Sequence, residues 1–134
     1  MAKKTWVYAP KKEKVKISDN VKERVKKRAD EFIESVLKPK HVKTPRKNAK
    51  SNYIIDIYSK WYRQYFYFCA TYHCPEENAI SPSFETNFAR LEYLPGGSYT
   101  LAYLRHNNKW FEIDHNISLD KAFRKIEDGP HFIP

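Results

Sequence analysis

Apolar side chains at Ile17, Val21, Val25, Ala29, Phe32 and Val36 recur every three or four residues, the repeat that lines one face of an α-helix. Asn20 followed three residues later by Glu23 has the form of a capping box, with Ser18 and Asp19 as rival caps. Pro39 predicts a stop after Leu37, because proline disfavours helical backbone at the residue before it. The opposite face turns from basic (Lys22, Arg24, Lys26, Lys27, Arg28) to acidic (Asp30, Glu31, Glu34). Lys38 to Ser51 contains two prolines and no apolar period, which predicts a long basic loop.

From Asn52 the pattern changes. Nine aromatic residues fall between Tyr53 and Tyr72, a density that favours strands. Tyr53–Tyr58 and Tyr65–Tyr72 are the expected pair, joined through Ser59–Gln64, and Pro75 to Ser83 reads as a second loop. Phe84 to Leu94 is a further strand, Pro95-Gly96-Gly97-Ser98 a turn and Tyr99 to His106 a strand. Asn107-Asn108 reads as a two-residue hairpin turn, since asparagine tolerates the positive φ of type I′, and Lys109 to Asp114 as the strand after it. Leu119, Phe123 and Ile126 mark a closing helix with Ser118 as its cap and Gly129-Pro130 as its stop.

The two turns imply a register. A four-residue loop sets Leu94 against Tyr99 and Arg90 against Tyr103; the Asn-Asn turn sets Arg105 against Trp110 and Tyr103 against Glu112. One face then collects Ala89, Leu91, Tyr93, Ala102, Leu104, Phe111 and Ile113, an expected core face. The other carries the rows Phe88–Arg105–Trp110 and Arg90–Tyr103–Glu112. Guanidinium groups among aromatic rings hold bases and phosphates. The plainer alternative is a cross-strand ladder of ion pairs and cation–π contacts.

Charge sharpens this picture. Residues 1–50 hold 17 Lys/Arg and 6 Asp/Glu, whereas residues 51–134 hold 8 and 10, so the net charge of +9 is concentrated at the start. Lys11-Lys12-Glu13-Lys14-Val15-Lys16 is one basic run; the other holds Lys38, Lys40, Lys43, Arg46, Lys47 and Lys50 with no acid. Such segments gain free energy by meeting phosphates and releasing counterions, although a solvated basic tail and loop would also keep a protein soluble. Residues 1–16 read as a basic arm, with Trp6, Val7 and Tyr8 as a possible edge strand ended by Pro10, and 17–134 as a single domain.

Other classes are excluded or weakened. The longest apolar run, Tyr65 to Ala70, is too short to span a bilayer. The apolar helix stripe has the form of a core face, against a membrane-surface helix. The basic start leads into no apolar stretch, so no secretory signal is expected; with only two cysteines, the cytoplasm is the expected compartment. Three glycines are too few for a nucleotide-binding loop, no G-x-S-x-G nucleophile motif occurs, and nothing implies a cofactor. Cys69, His73 and Cys74 lack the spacing and number of a zinc site. In a strand Cys69 and Cys74 lie roughly 16 Å apart at about 3.3 Å per residue, so a disulfide is not expected either. His106, Glu112 and His131 remain candidates for acid–base chemistry or small-molecule binding; Glu92 and Asp114 are better suited to ion pairing with neighbours such as Arg90.

Residues 53–134 resemble a family of small uncharacterised bacterial proteins, a domain of unknown function. The pieces that carry the likeness are Tyr-Ile-Ile-Asp-Ile-Tyr-Ser-Lys-Trp (53–61), Phe-Ala-Arg-Leu-Glu-Tyr (88–93), Leu-Arg-His-Asn-Asn-Lys-Trp (104–110), Ser-Leu-Asp-Lys-Ala-Phe (118–123) and Pro-His-Phe-Ile-Pro (130–134). The resemblance implies no activity. It draws attention to Trp61, Arg90, Arg105, His106, Trp110 and His131, which lie within those pieces, and it does not extend to residues 1–16.

The expected architecture is α+β: a long N-terminal helix packed on an antiparallel sheet of about five strands, then a short C-terminal helix. The expected function is nucleic-acid binding, with Lys38, Lys40, Lys43, Arg46, Lys47 and Lys50 on phosphates and Arg90, Tyr103, Arg105 and Trp110 on unstacked bases. The alternatives are an enzyme or small-molecule site using Arg90, Arg105, His106, Glu112 and His131, or an interaction subunit, including a homo-oligomer, that buries the aromatic segment 53–72.

Overall fold

The computed structural model describes residues 16–42, 51–75 and 82–134. The fold is α+β. Helix α1 (Asp19–Phe32) runs through a π-helical turn (Ile33–Leu37) into the short α2 (Lys38–His41). Strands β1 (Tyr53–Tyr62), β2 (Tyr65–His73), β3 (Ser83–Leu94), β4 (Ser98–Leu104) and β5 (Trp110–Ile117) follow, then α3 (Leu119–Asp128). The strands form one antiparallel sheet in chain order.

Ser18, not Asn20, caps α1: its hydroxyl accepts from the Val21 amide at 3.3 Å. The helix also does not stop at Leu37. Proline in a helix clashes with the carbonyl four residues back, and the wider π turn before Pro39 relieves that conflict. There the Lys38 amide donates to the Ile33 carbonyl, five residues back. Val25 and Ala29 of α1 and Ile33 and Leu37 of the π turn, four residues apart, are buried together, while Phe32 and Val36 are half-buried.

The helices cover one sheet face. Phe68 meets Phe32 of α1 and Phe123 of α3, both edge-on, and those two rings stack at 4.8 Å. Ile57, Phe66, Phe88, Ala89, Leu91, Tyr99 and Leu101 complete the core from the sheet, and Leu119, Ala122, Ile126 and Phe132 from the C-terminal segment. Ser118 caps α3 by accepting from the Lys121 amide. Phe132 docks into the core, whereas its apolar neighbour Ile133 stays exposed.

Polar clamps tie α1 to β1. The Lys26 ammonium donates to Asp30, to the Ser59 carbonyl and to the Ser59 hydroxyl, and that hydroxyl donates to Asp30 at 2.8 Å. The Trp61 indole donates to the Lys22 carbonyl at 3.1 Å.

Turn lengths depart from the sequence-based expectation. β1 runs on to Tyr62, so only Arg63 and Gln64 separate it from β2. Pro95-Gly96-Gly97 is a three-residue loop with Leu94 opposite Ser98, both glycines at positive φ. His106-Asn107-Asn108 is also three residues. The Asn108 amide donates to Arg105, the Arg105 amide donates to Lys109, and only Asn108 has positive φ. That is a type I turn closed by a left-handed residue, not a type I′ pair. The pairs are therefore Arg90–Ala102, Ala89–Tyr103, Ala102–Glu112 and Tyr103–Phe111. β5 and the Ala89–Tyr93 part of β3 present the expected faces, but Phe88, expected on the open face, sits at a bulge and is buried against Phe68, and β4 is turned over: Leu101 and Tyr103 face the helices, Ala102 and Leu104 the other side.

Candidate functional site

The face away from the helices carries the candidate site. In β2 the alternation is chemically explicit: Phe66 and Phe68 are fully buried against the helices, while Tyr65 and Tyr67 point the other way and stay half-exposed. Pairing brings Tyr67 beside Arg90, Tyr65 beside Glu92 and Lys60 beside Tyr67. Among the described residues no helix packs on this side.

Arg90 is its centre. Its guanidinium carbon lies 4.6 Å from the Tyr65 ring centroid and 5.0 Å from that of Trp110. Reaching Trp110 on β5 requires the side chain to cross β4, and it does so over Ala102, whose single methyl leaves room. Tyr67 closes the cluster, 5.7 Å from Trp110 and 6.2 Å from Tyr65. The Glu112 carboxylate stands 4.0 Å from an Arg90 terminal nitrogen. Only 15% of the Arg90 side chain is exposed, and its buried Nε has no hydrogen-bond partner. Burial raises the Tyr67 hydroxyl above its ordinary range, against the lowering pull of the Arg90 charge.

The guanidinium thus contacts two rings and has one loosely held edge. Each cation–π contact of this kind stabilises by about 0.5–2 kcal/mol. Around it the face displays Tyr58, Tyr62 and Leu104 with the exposed Lys60, while Cys69 and Thr100 are buried between them. Burial also raises the Cys69 thiol, so it is held protonated.

The remaining candidates lie elsewhere. Tyr103 stacks on the His131 ring at 4.4 Å, on the helix side of the sheet, and its hydroxyl accepts from Arg105 Nε at 3.3 Å. Arg105 covers Phe111 at 3.9 Å. His106 is exposed in the β4–β5 turn. Lys38 is held by Glu34 and Asp56, with its ammonium pKa raised chiefly by the Glu34 hydrogen bond, and Lys40 donates to the Glu127 carbonyl. Asp114 pairs with Lys125 on the α3 side, and Glu92 is buried. Lys43, Arg46, Lys47, Lys50 and the arm 1–15 lie outside the described residues. Arg90, Trp110 and Glu112 are therefore brought together, whereas Tyr103, Arg105 and His131 form a second group on the opposite face. Tyr65 and Tyr67 were missed from the sequence, although the Tyr/Phe alternation of β2 signals which face takes the hydroxyls.

A helix-backed antiparallel meander with an arginine-centred aromatic cluster on its open face defines the class of protein. The chain belongs to a family described as a domain of unknown function (DUF3024), whose model matches residues 17–134. No curated protein and no solved structure matches the chain. Among the described residues no helix is long and apolar enough to cross a membrane.

Proposed function

We propose that this protein binds single-stranded nucleic acid on the open face of its sheet. The carrying observation is Arg90 held between Tyr65 and Trp110 on a tyrosine-rich surface that no described helix covers. Unstacked bases stack on aromatic rings whatever their sequence, each contributing about 1–3 kcal/mol. Tyr62 is an exposed ring of this kind, and Tyr65 and Trp110 are partly exposed ones. Phosphates would meet Lys60 and Arg63 and the exposed part of the Arg90 guanidinium, in competition with Glu112, with the cations of segments 3–16 and 43–50 adding sequence-independent attraction. Because Lys38 is paired with Glu34 and Asp56 and Lys40 donates to the Glu127 carbonyl, they have a smaller part in this reading.

Fluorescence anisotropy with a labelled single-stranded oligonucleotide at two salt concentrations tests the proposal. Binding at low salt, weakened by added salt and by Trp110→Ala or Tyr65→Ala, is the expected result. No binding at low salt ends the proposal, and so does binding indifferent to salt.

A further inference from the structure

On the helix side of the sheet, between β5, α3 and the C-terminal segment, lies an open groove of 760 Å³. That volume falls within the range of about 300–1,000 Å³ usual for small-molecule sites. Its accessible apolar lining comes from Ile113 and Pro130, with the buried Phe132 beneath, and one wall is the His131 ring, laid flat on Tyr103 at an interplanar angle of 15°.

The charges around the groove are unevenly satisfied. Among the lining residues, Lys125 is paired with Asp114 and Asp120 with Arg28. Lys121 and Arg124 form no ion pair among the described residues, and the lining carboxylate left to oppose these two cations is Asp128. The site therefore combines an apolar floor with an excess of positive charge at its rim. A small hydrated anion would gain nothing from the floor, and an uncharged apolar molecule nothing from the rim.

We propose that this groove binds a free organic monocarboxylate with a compact apolar body, its ring or short chain on Ile113 and Pro130 and its carboxylate on Lys121 and Arg124. The groove faces away from Tyr65, Arg90 and Trp110, so the inference stands or falls independently of the nucleic-acid reading.

The test is a nuclear magnetic resonance titration of the isotope-labelled full chain with hydrocinnamate, with octanoate, and with hydrocinnamide as the uncharged control. Saturable shifts from either acid, confined to amides of β5, α3 and residues 129–132, are expected. The amide should bind at least roughly tenfold more weakly, since it cannot form charge-assisted bonds. The double substitution Lys121→Ala with Arg124→Ala, both on the exposed side of α3, should weaken the better acid by about tenfold or more and leave the rest of the spectrum unchanged. No saturable shift with either acid, an amide that binds as well as its acid, or a double variant with unaltered affinity would each overturn the proposal.

Discussion

Arg90 and Glu112 meet at 4.0 Å over Ala102, although the strands that carry them are not neighbours. The row exists because a small residue occupies the intervening strand at that level. A larger side chain at Ala102 would fill the space the guanidinium crosses.

Arg90→Ala should lower stability by about 1–3 kcal/mol, from two lost cation–π contacts and the packing of the aliphatic stem. Urea unfolding measures it. Arg90→Lys should recover little, because a compact ammonium cannot contact two rings at once as a planar guanidinium does.

Ser59→Ala removes the hydroxyl that joins Lys26 to Asp30 beneath α1. A loss of about 1–3 kcal/mol is expected from two unmade hydrogen bonds at a buried position. The thermal midpoint should fall, with the far-ultraviolet dichroism of the folded chain unchanged.

Arg63→Gly should stabilise. Arg63 adopts φ +57°, a left-handed conformation that costs a residue with a Cβ roughly 1–2 kcal/mol. Part of that gain is offset by the larger entropy of glycine in the unfolded chain, leaving a net increase on the order of 0.5–1 kcal/mol. An unmoved or lowered urea midpoint would contradict this account.

Gly129→Ala should be harmful for a different reason. Gly129 is not in the positive-φ region, but a Cβ there would sit 2.5 Å from the Lys125 carbonyl oxygen and 3.0 Å from the Phe132 ring. The expected cost is about 1–3 kcal/mol, as for other overpacked sites. Calorimetry reads it directly.

Stability should decline in alkali. Burial raises the hydroxyls of Tyr58, Tyr67, Tyr72 and Tyr99 and the thiol of Cys69 above their ordinary values of 10.0 and 9.0. The native chain then holds these protons after the unfolded chain has released them. The unfolded state binds fewer protons, so the slope of stability against pH is negative there. The contribution is complete below about pH 9 and is lost as pH climbs through the ordinary values toward the raised ones. Urea midpoints measured from neutral to alkaline pH, alongside tyrosinate absorbance, check both the sign and the window.

Legibility from sequence varied with how sharply each pattern discriminates. The first half of the α1 stripe, the Ser118 cap and the alternation of β3 from Ala89 to Tyr93 could be read directly, because polar and apolar positions there are distinct; around the π turn burial falls on Ile33 and Leu37 instead of Phe32 and Val36, and a bulge turned Phe88 inward. β4 could not be oriented that way. Tyr99, Leu101 and Tyr103 form one apolar set and Ala102 with Leu104 another, so either face suits a core. Orientation then rested on loop lengths, and each loop holds three residues instead of the expected four or two. The two departures shift β4 by one residue in the same sense, so β3 and β5 keep their mutual alignment. Arg90 therefore still lies opposite Glu112, as the sequence implies, while Tyr103 moves to the helix side. Tyr65 and Tyr67 escaped as partners of Arg90 because the long β2–β3 connection offers no register to extrapolate.

The unbroken chain-order sheet also bears on how quickly the protein reaches its native state. Three of its four reversals close over two or three residues, and the β2–β3 connection is the exception. Short closures surrender little chain entropy, so the hairpins can assemble locally before distant segments find one another. Collapse should then await chiefly the joining of the first hairpin to the remaining three strands, a step that also builds the Arg90 cluster.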